Sequence, residues 1–170
     1  QLVNDLYDLS VSHLGTLGYR KLPVDIGELL RLALDAFRDR LSARALAVSL
    51  HLPAERVEVE ADEARLHQLF SNILENSVRY ADPGAELLVR LATRQSEVVI
   101  DFEDSAPGVP ATCLPYLFER FYRVDPSRSR TTGGAGLGLA ICRNIVDAHG
   151  GTITARPSTL GGLWITIALP

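Results

Sequence analysis

Asp62-Glu-Ala-Arg-Leu-His-Gln-Leu-Phe-Ser-Asn-Ile-Leu-Glu-Asn-Ser-Val-Arg-Tyr80 carries two patterns in one stretch. Leu66, Leu69, Phe70, Ile73, Leu74 and Val78 recur at intervals of three and four, the period of a helix that buries one stripe. Asp62 is the expected N-cap, because its carboxylate can accept from the first free N–H groups, and Pro83-Gly84 stops the run just after Tyr80. The second pattern is polar. Asn72, Asn76 and Arg79 are four and three residues apart, which places them within an arc of about 60° on one face. Asparagine is a poor helix former and costly to bury unpaired. The face is therefore either solvated or the wall of a ligand site, where an amide oxygen meets a cation and Arg79 meets an anion.

Downstream, residues 86–93 and 97–103 read as two strands, with Asp104 just past the second. The turn Asp104-Ser-Ala-Pro-Gly-Val-Pro110 either only reverses the chain or aims its carboxylate at an amino-bearing ligand. A short helix is expected over 114–121, then a polar loop over 123–134 with Pro126 and four Ser/Thr residues. Gly133-Gly-Ala-Gly-Leu-Gly138 opens a last helix, 136–148. Such glycines are either a hinge or a place where backbone N–H groups reach a phosphate at a helix N-terminus. They are no dinucleotide fingerprint, since a polar loop rather than a strand precedes them. Strands over 152–156 and 163–169, the latter led by Gly161-Gly162, close the chain.

Upstream, Asp25 followed by Glu28 resembles a capping box, and Leu29, Leu30, Leu32, Ala33, Ala36 and Phe37 give a helix to about residue 45. Residues 46–52 alternate as a half-buried strand, and 57–60 form a shorter one. Leu2, Leu6, Leu9 and His13 form a heptad seam over 1–18, the expected tail of a bundle helix. Strands and helices mix without strict alternation. The expectation is an α+β fold, a two-layer α/β sandwich whose mixed, mostly antiparallel sheet faces the helices.

Composition removes several function classes. The chain has 170 residues, 46% of them hydrophobic and 22% charged, in keeping with a folded globular unit. A net charge of −4 argues against non-specific nucleic-acid binding. Of 17 basic side chains only Lys21 is lysine, and its Tyr-Arg-Lys-Leu-Pro setting fits no phosphate-loop, kinase-strand or Schiff-base lysine. Cys113, Cys142 and the four histidines show no metal-ligand spacing. A Gln1 start without any methionine suggests a fragment cut through the bundle helix.

An Asn-bearing helix, a strand-end Asp with a Pro-Gly turn and a Gly-Leu-Gly helix start, in that order, resemble one family. It is the ATP-binding catalytic domain of sensor histidine kinases, within the superfamily of DNA gyrase, the ninety-kilodalton heat-shock chaperone and the MutL repair ATPase. The shared motifs are Gln68-Leu-Phe-Ser-Asn-Ile-Leu-Glu-Asn-Ser-Val-Arg-Tyr-Ala81, the turn from Asp104, Leu117-Phe-Glu-Arg-Phe-Tyr-Arg123, and the glycines from Gly133. Asp104 to Val109 and Leu117 to Arg123, read together, are most similar to BaeS-type envelope-stress sensors.

The resemblance implies a domain that holds Mg-ATP. It would donate the γ-phosphate to a histidine on a dimerisation domain, for onward transfer to a response regulator receiver domain. Residues 1–22 would be the tail of the dimerisation helix and linker, and 23–170 the catalytic domain with an ATP lid at about 124–134. The whole would be the cytoplasmic part of an inner-membrane bacterial sensor, with no nucleic-acid partner and no membrane contact of its own. Asn76 would coordinate Mg²⁺ and Asn72 would add a polar contact beside it. Arg79 would contact a phosphate and Tyr80 would border the nucleotide. Asp104 would accept from the adenine amino group, with Gly108 and Val109 passing the base. Arg123 would reach the terminal phosphates, and Gly134, Gly136, Leu137 and Gly138 would wrap them.

Three departures from the family pattern stand out. Ala106 replaces the usual first glycine of the Asp-x-Gly-x-Gly turn, and Arg79 replaces a common lysine. His13-Leu-Gly-Thr does not match the phosphoacceptor motif, so the chain is expected to bind Mg-ATP without phosphorylating itself, and no catalytic residue is assigned within it. Two other readings stay open: an ATP-hydrolysing relative, and a degenerate nucleotide-binding scaffold in which Ala106 marks lost binding. Hydrolysing relatives resemble one another in placing a glutamate four residues before the Mg²⁺-binding asparagine. That position is Asn72 here, and Glu75 points about 100° away around the helix.

Overall fold

A computed structural model describes residues 18–105, 107–124 and 135–170. The heptad seam, Ala106, Gly134 and all of the expected lid except Val124 lie outside the described residues.

The chain enters through β1 (Leu22–Asp25), whose last residue caps α1 (Ile26–Ala43) by accepting from the Glu28 N–H at 3.0 Å. A positive φ of 53° at Ala45 turns the backbone out of that helix, two residues before the end expected from sequence. Strands β2 (Ala47–His51) and β3 (Glu58–Ala61) lead to α2 (Glu63–Tyr80). Asp62 caps α2 as expected, accepting from the Arg65 N–H at 3.1 Å. Strands β4 (Glu86–Arg94) and β5 (Glu97–Asp104), helix α3 (Gly138–Ala148), and strands β6 (Thr152–Pro157) and β7 (Leu163–Leu169) complete the order.

Five strands form one sheet in the order β2-β4-β5-β7-β6. Only β2 and β4 run parallel, and the other three pairings are antiparallel. Leu66, Leu69, Phe70, Ile73 and Leu74 of α2, all at most 1% exposed, bury the expected stripe against this sheet. Phe70 meets Phe102 of β5 with ring centroids 5.9 Å apart. Strand alternation then sends Asp101 and Glu103 to the opposite face. Asp101 is buried there and accepts from Trp164 Nε1 at 2.7 Å and Thr166 Oγ1 at 2.6 Å. This is the α+β, two-layer sandwich with a mixed, mostly antiparallel sheet. Among the described residues no helix is long and apolar enough to cross a membrane.

Three local expectations need correction. β1 was not expected; it pairs antiparallel with β3 as a separate two-stranded ribbon, Leu22 opposite Ala61. β2 is mostly exposed rather than half-buried, because it lies at an edge of the sheet; of its residues only Leu50 packs against the core, with Leu46 buried just before it. The helix expected over 114–121 is one 3₁₀ turn, Leu114–Tyr116, followed by turns. Phe121 sits at φ 63°, so an α-helix cannot run to the end expected for the segment. Its apolar residues serve as anchors instead: Leu117 and Phe118 are buried.

Candidate functional site

Two of the polar residues that α2 carries on one face make no conventional side-chain hydrogen bond with the described residues. The Asn72 side chain lies against the first residue of α3, where a methyl on Gly138 would sit 3.9 Å from Asn72 Cγ. That is ordinary contact, so packing alone does not require glycine there. Asn72 Nδ2 is fully buried and has only the weakly bonding Cys142 thiol beside it, with no conventional hydrogen-bond partner among the described residues. Asn76, one turn on, is half-buried and makes no side-chain hydrogen bond with them, and Tyr80 is 44% exposed. Arg79 reaches Glu75 at 3.2 Å, and Glu75 also receives a two-pronged bond from Arg40 of α1 at 2.6 and 2.9 Å. The Arg40 hydrogen bonds, helped by those of Arg79 and the charge of both, outweigh burial and hold the Glu75 carboxyl below its usual range. A carboxylate so occupied is a poor base for activating water, which weighs against the hydrolysing alternative.

The start of α3 is tied to the segment around Phe121. Phe121 N–H donates to the Gly136 carbonyl at 2.9 Å. Gly136 has φ +69°, and a Cβ there would lie 2.9 Å from the Tyr122 carbonyl oxygen. Gly136→Ala thus meets both an αL penalty and a backbone clash, together roughly 2–4 kcal/mol. Urea unfolding should show that loss; an unchanged midpoint would mean that the 121–122 backbone moves aside freely. Leu137, expected to wrap phosphate, is 1% exposed and packs in the core, so only its backbone can face a ligand. Arg123, two residues beyond Phe121, has Nε and Nη2 buried without a hydrogen-bond partner among the described residues.

The third part is the end of β5. Asp104 is its last residue rather than the first of the loop, and Oδ1 accepts from the Leu163 N–H at 2.7 Å. No other hydrogen bond to this carboxylate is made by the described residues. Burial pushes the Asp104 carboxyl up to about 6 from 3.8, partly countered by the Leu163 N–H and aided by the charge of Glu103. Gly108 does allow a close approach, but the visible neighbour is Gly161, whose carbonyl oxygen would lie 2.8 Å from an added Cβ. Val109 is half-buried and packs on the core. The structure thus joins Asn72 to Gly138 and Gly136 to Phe121–Tyr122. It also brings in groups that sequence reading passed over: Leu163 N–H, Glu103 and Gly161. Only the Gly161-Gly162 pair hinted at them.

At the far end of α2, Asp62 N–H donates to His149 Nε2 at 3.0 Å, and His149 Nδ1 lies 2.7 Å from the Ile145 carbonyl. Tyr19 stands edge-on to the His149 ring at 5.3 Å, and Arg20 N–H donates to Asp62 Oδ2 at 3.0 Å. The incoming chain is therefore fastened to the same two helices that carry Asn72 and Gly138. Cys142 of α3 is buried against α2, its thiol 3.7 Å from the Leu69 carbonyl, and burial pushes its pKa up.

An asparagine-bearing helix, a glycine-led helix start beside it and a buried carboxylate at the end of a central strand define an α/β-sandwich domain of the ATPase type. Residues 61–170 match the family described as histidine kinase-, DNA gyrase B- and HSP90-like ATPase, and the chain belongs to that family. All 170 residues align at 51% identity with the signal transduction histidine-protein kinase BaeS of Escherichia coli (strain K12), of which the chain spans 36%. Full-length ShkA, solved in complex with AMPPNP, superposes with a TM-score of 0.84 at 27% identity, over 99% of this chain and 35% of that one. The histidine kinase AdeS of Acinetobacter baumannii gives 0.81 at 27% identity, over 99% of this chain and 76% of that one. The resemblance to sensor histidine kinase catalytic domains is borne out.

Proposed function

We propose that the chain binds Mg-ATP between α2, the start of α3 and the end of β5, and presents the γ-phosphate to a histidine on a dimerisation domain. A response regulator receiver domain would then take the phosphoryl group in a two-component pathway. One observation carries the reading: Arg123 Nε and Nη2 are buried donors without partners among the described residues, and buried Asn72 Nδ2 has only the weak Cys142 thiol beside it. Unpaired buried donors cost about 1–3 kcal/mol each, and an anion that accepts from them removes the penalty. ShkA, solved with AMPPNP, is among the structural neighbours, which supports the same reading.

The donor set also fits magnesium. Among the described residues no group of three or more His, Cys, Asp or Glu side chains is placed to hold a metal. Asn76 offers one amide oxygen, and Mg²⁺ commonly takes one or two protein oxygens, its remaining sites filled by phosphate and water. Asn76 would hold it, and the ion would supply charge neutralisation of the phosphates. The chain's own residues do the rest. Asn72 and Arg123 donate to phosphate oxygens, and Arg79 leaves Glu75 to Arg40 as it turns to the anion. The backbone N–H groups of Leu137 and Gly138 face the phosphates at the N-terminus of α3. Asp104 accepts from the base amino group through Oδ2. Positioning and charge stabilisation, not covalent chemistry, are the domain's contribution. Val109 borders the base and Tyr80 the open side, while Gly108 and Gly136 hold the flanking backbone in place; Gly134 is assigned to the lid.

Calorimetric titration tests this. Wild type should bind ATP more tightly with Mg²⁺ than without, and Asn76→Ala should lose that difference while still binding the metal-free nucleotide. Affinity should also fall as pH drops through about 6, where Asp104 becomes protonated and ceases to accept. No heat with wild type at pH 8 would favour the scaffold reading instead.

A further inference from the structure

Two adjacent carboxylates end β5, and alternation along the strand puts them on opposite faces of the sheet. Both hold the same hairpin loop. On one face Glu103, 1% exposed, takes Ser158 Oγ at 3.0 Å, Thr159 N–H at 3.1 Å and Thr159 Oγ1 at 2.8 Å on a single oxygen, Oε1. Its other oxygen pairs with Arg90 of β4. On the other face Asp104 Oδ1 takes the Leu163 N–H, where the loop returns as β7. Within the loop Ser158 N–H donates to the Gly162 carbonyl at 2.9 Å, and Leu160 N–H donates to Ser158 Oγ at 2.8 Å. Gly161, at φ +105°, packs so tightly on the turn that an added Cβ would lie 3.0 Å from the Ser105 carbonyl oxygen.

A buried carboxylate with three hydrogen-bond donors on one oxygen is far more constraint than a five-residue hairpin connection requires. We infer that Glu103 is a positioning residue for Asp104: by clamping Ser158 and Thr159 it holds the Leu163 N–H on one Asp104 oxygen and leaves the other as the acceptor shown to a base amino group. This rests on the ATP reading above. Without the clamp, Leu163 drifts, both Asp104 oxygens become equivalent, and the carboxylate can turn away from the base. Glu103 acts on Asp104 in a second way, through its charge. Burial raises the Glu103 carboxyl pKa, but the Ser158 and Thr159 hydrogen bonds and Arg90 outweigh it, so the group stays ionised and disfavours ionisation of its neighbour. On the Glu103 face the charged groups near this pair are Arg90 of β4, Asp101 of β5 and Arg156 of β6, which stacks on Trp164 opposite Glu103. Glu86 of β4 is exposed nearby, and the facing loop, 157–163, carries none.

The test follows the Leu163 amide proton shift against pH in wild type, Glu103→Gln and Ser158→Ala/Thr159→Val, with ATP and ADP titrations on each at pH 8. In wild type the amide should titrate near pH 6. Glu103→Gln keeps an acceptor for the loop but removes the charge, so the midpoint should move to lower pH. The loop double variant, at a surface turn, should flatten the Leu163 titration. It should weaken ATP and ADP equally, by about tenfold, the worth of one hydrogen bond. Unmoved midpoint in Glu103→Gln, or wild-type affinity in the double variant, overturns the inference. The amide titration needs no nucleotide. If wild type bound none, the ATP reading would fall, and with it the base-directed role of Glu103, even if the clamp itself were seen.

Discussion

Asp104→Asn is expected to lower ATP affinity by roughly a hundredfold or more at pH 8, and to make the nucleotide-free protein more stable. The Leu163 N–H at 2.7 Å must keep an acceptor, so the asparagine oxygen is committed to it. The amide NH₂ then occupies the place of Oδ2 and faces the base amino group, donor against donor. Two desolvated donors cost about 1–3 kcal/mol each, and sites built to pair a polar group reject a mismatch by large factors. Stability moves the other way. The folded-state pKa of Asp104 is raised from 3.8 to about 6, so the folded protein resists ionisation more than the unfolded chain does. The resulting destabilisation is absent below the unfolded value, grows as pH rises toward about 6, and is complete above it. Its size is on the order of 2–3 kcal/mol. Asparagine removes it, so urea unfolding at pH 8 should show a gain that shrinks to nothing near pH 4. A variant that bound ATP normally would remove Asp104 from the site.

Arg123→Met should separate stability from binding just as sharply. Nε and Nη2 of Arg123 are buried with no hydrogen-bond partner among the described residues, while methionine matches the stem without any donor. The nucleotide-free protein should melt roughly 2–8 °C higher, in line with recovering about 1–2 kcal/mol for a domain of this size. ATP affinity should fall about 10–100-fold, the range for charge-assisted hydrogen bonds of about 1.5–3 kcal/mol. A lower melting temperature with unchanged affinity would mean that Arg123 serves packing alone. Both variants test one idea, that this fold stores unfavourable polar burial which the ligand relieves.

Local signals account for what was readable from sequence. Helix α2 begins and ends at the expected residues because its cap, stripe and stop are all within reach of one another along the chain. Asn72, Asn76 and Asp104 were readable as candidate site residues for the same reason. β1 was not, since Leu22–Asp25 contains a proline and gains its strand character only from β3 opposite. In the segment after Leu114 the adjacent Leu117 and Phe118 serve as buried anchors for a series of turns rather than as part of a helix. The Leu163 N–H and the Glu103 clamp lie 55 to 59 residues from their partners in sequence. A backbone donor has no residue signature, so no motif could have announced them.

The unequal burial of the two thiols has a practical side. Cys142 is sealed between helices with its pKa pushed up, so a thiol reagent meets Cys113 first in the folded protein. Lys21 is exposed and is the sole side-chain amine. One dye at each position would make an optical ruler running from the doorstep of β1 to the turn that follows Pro110, installed without altering a residue.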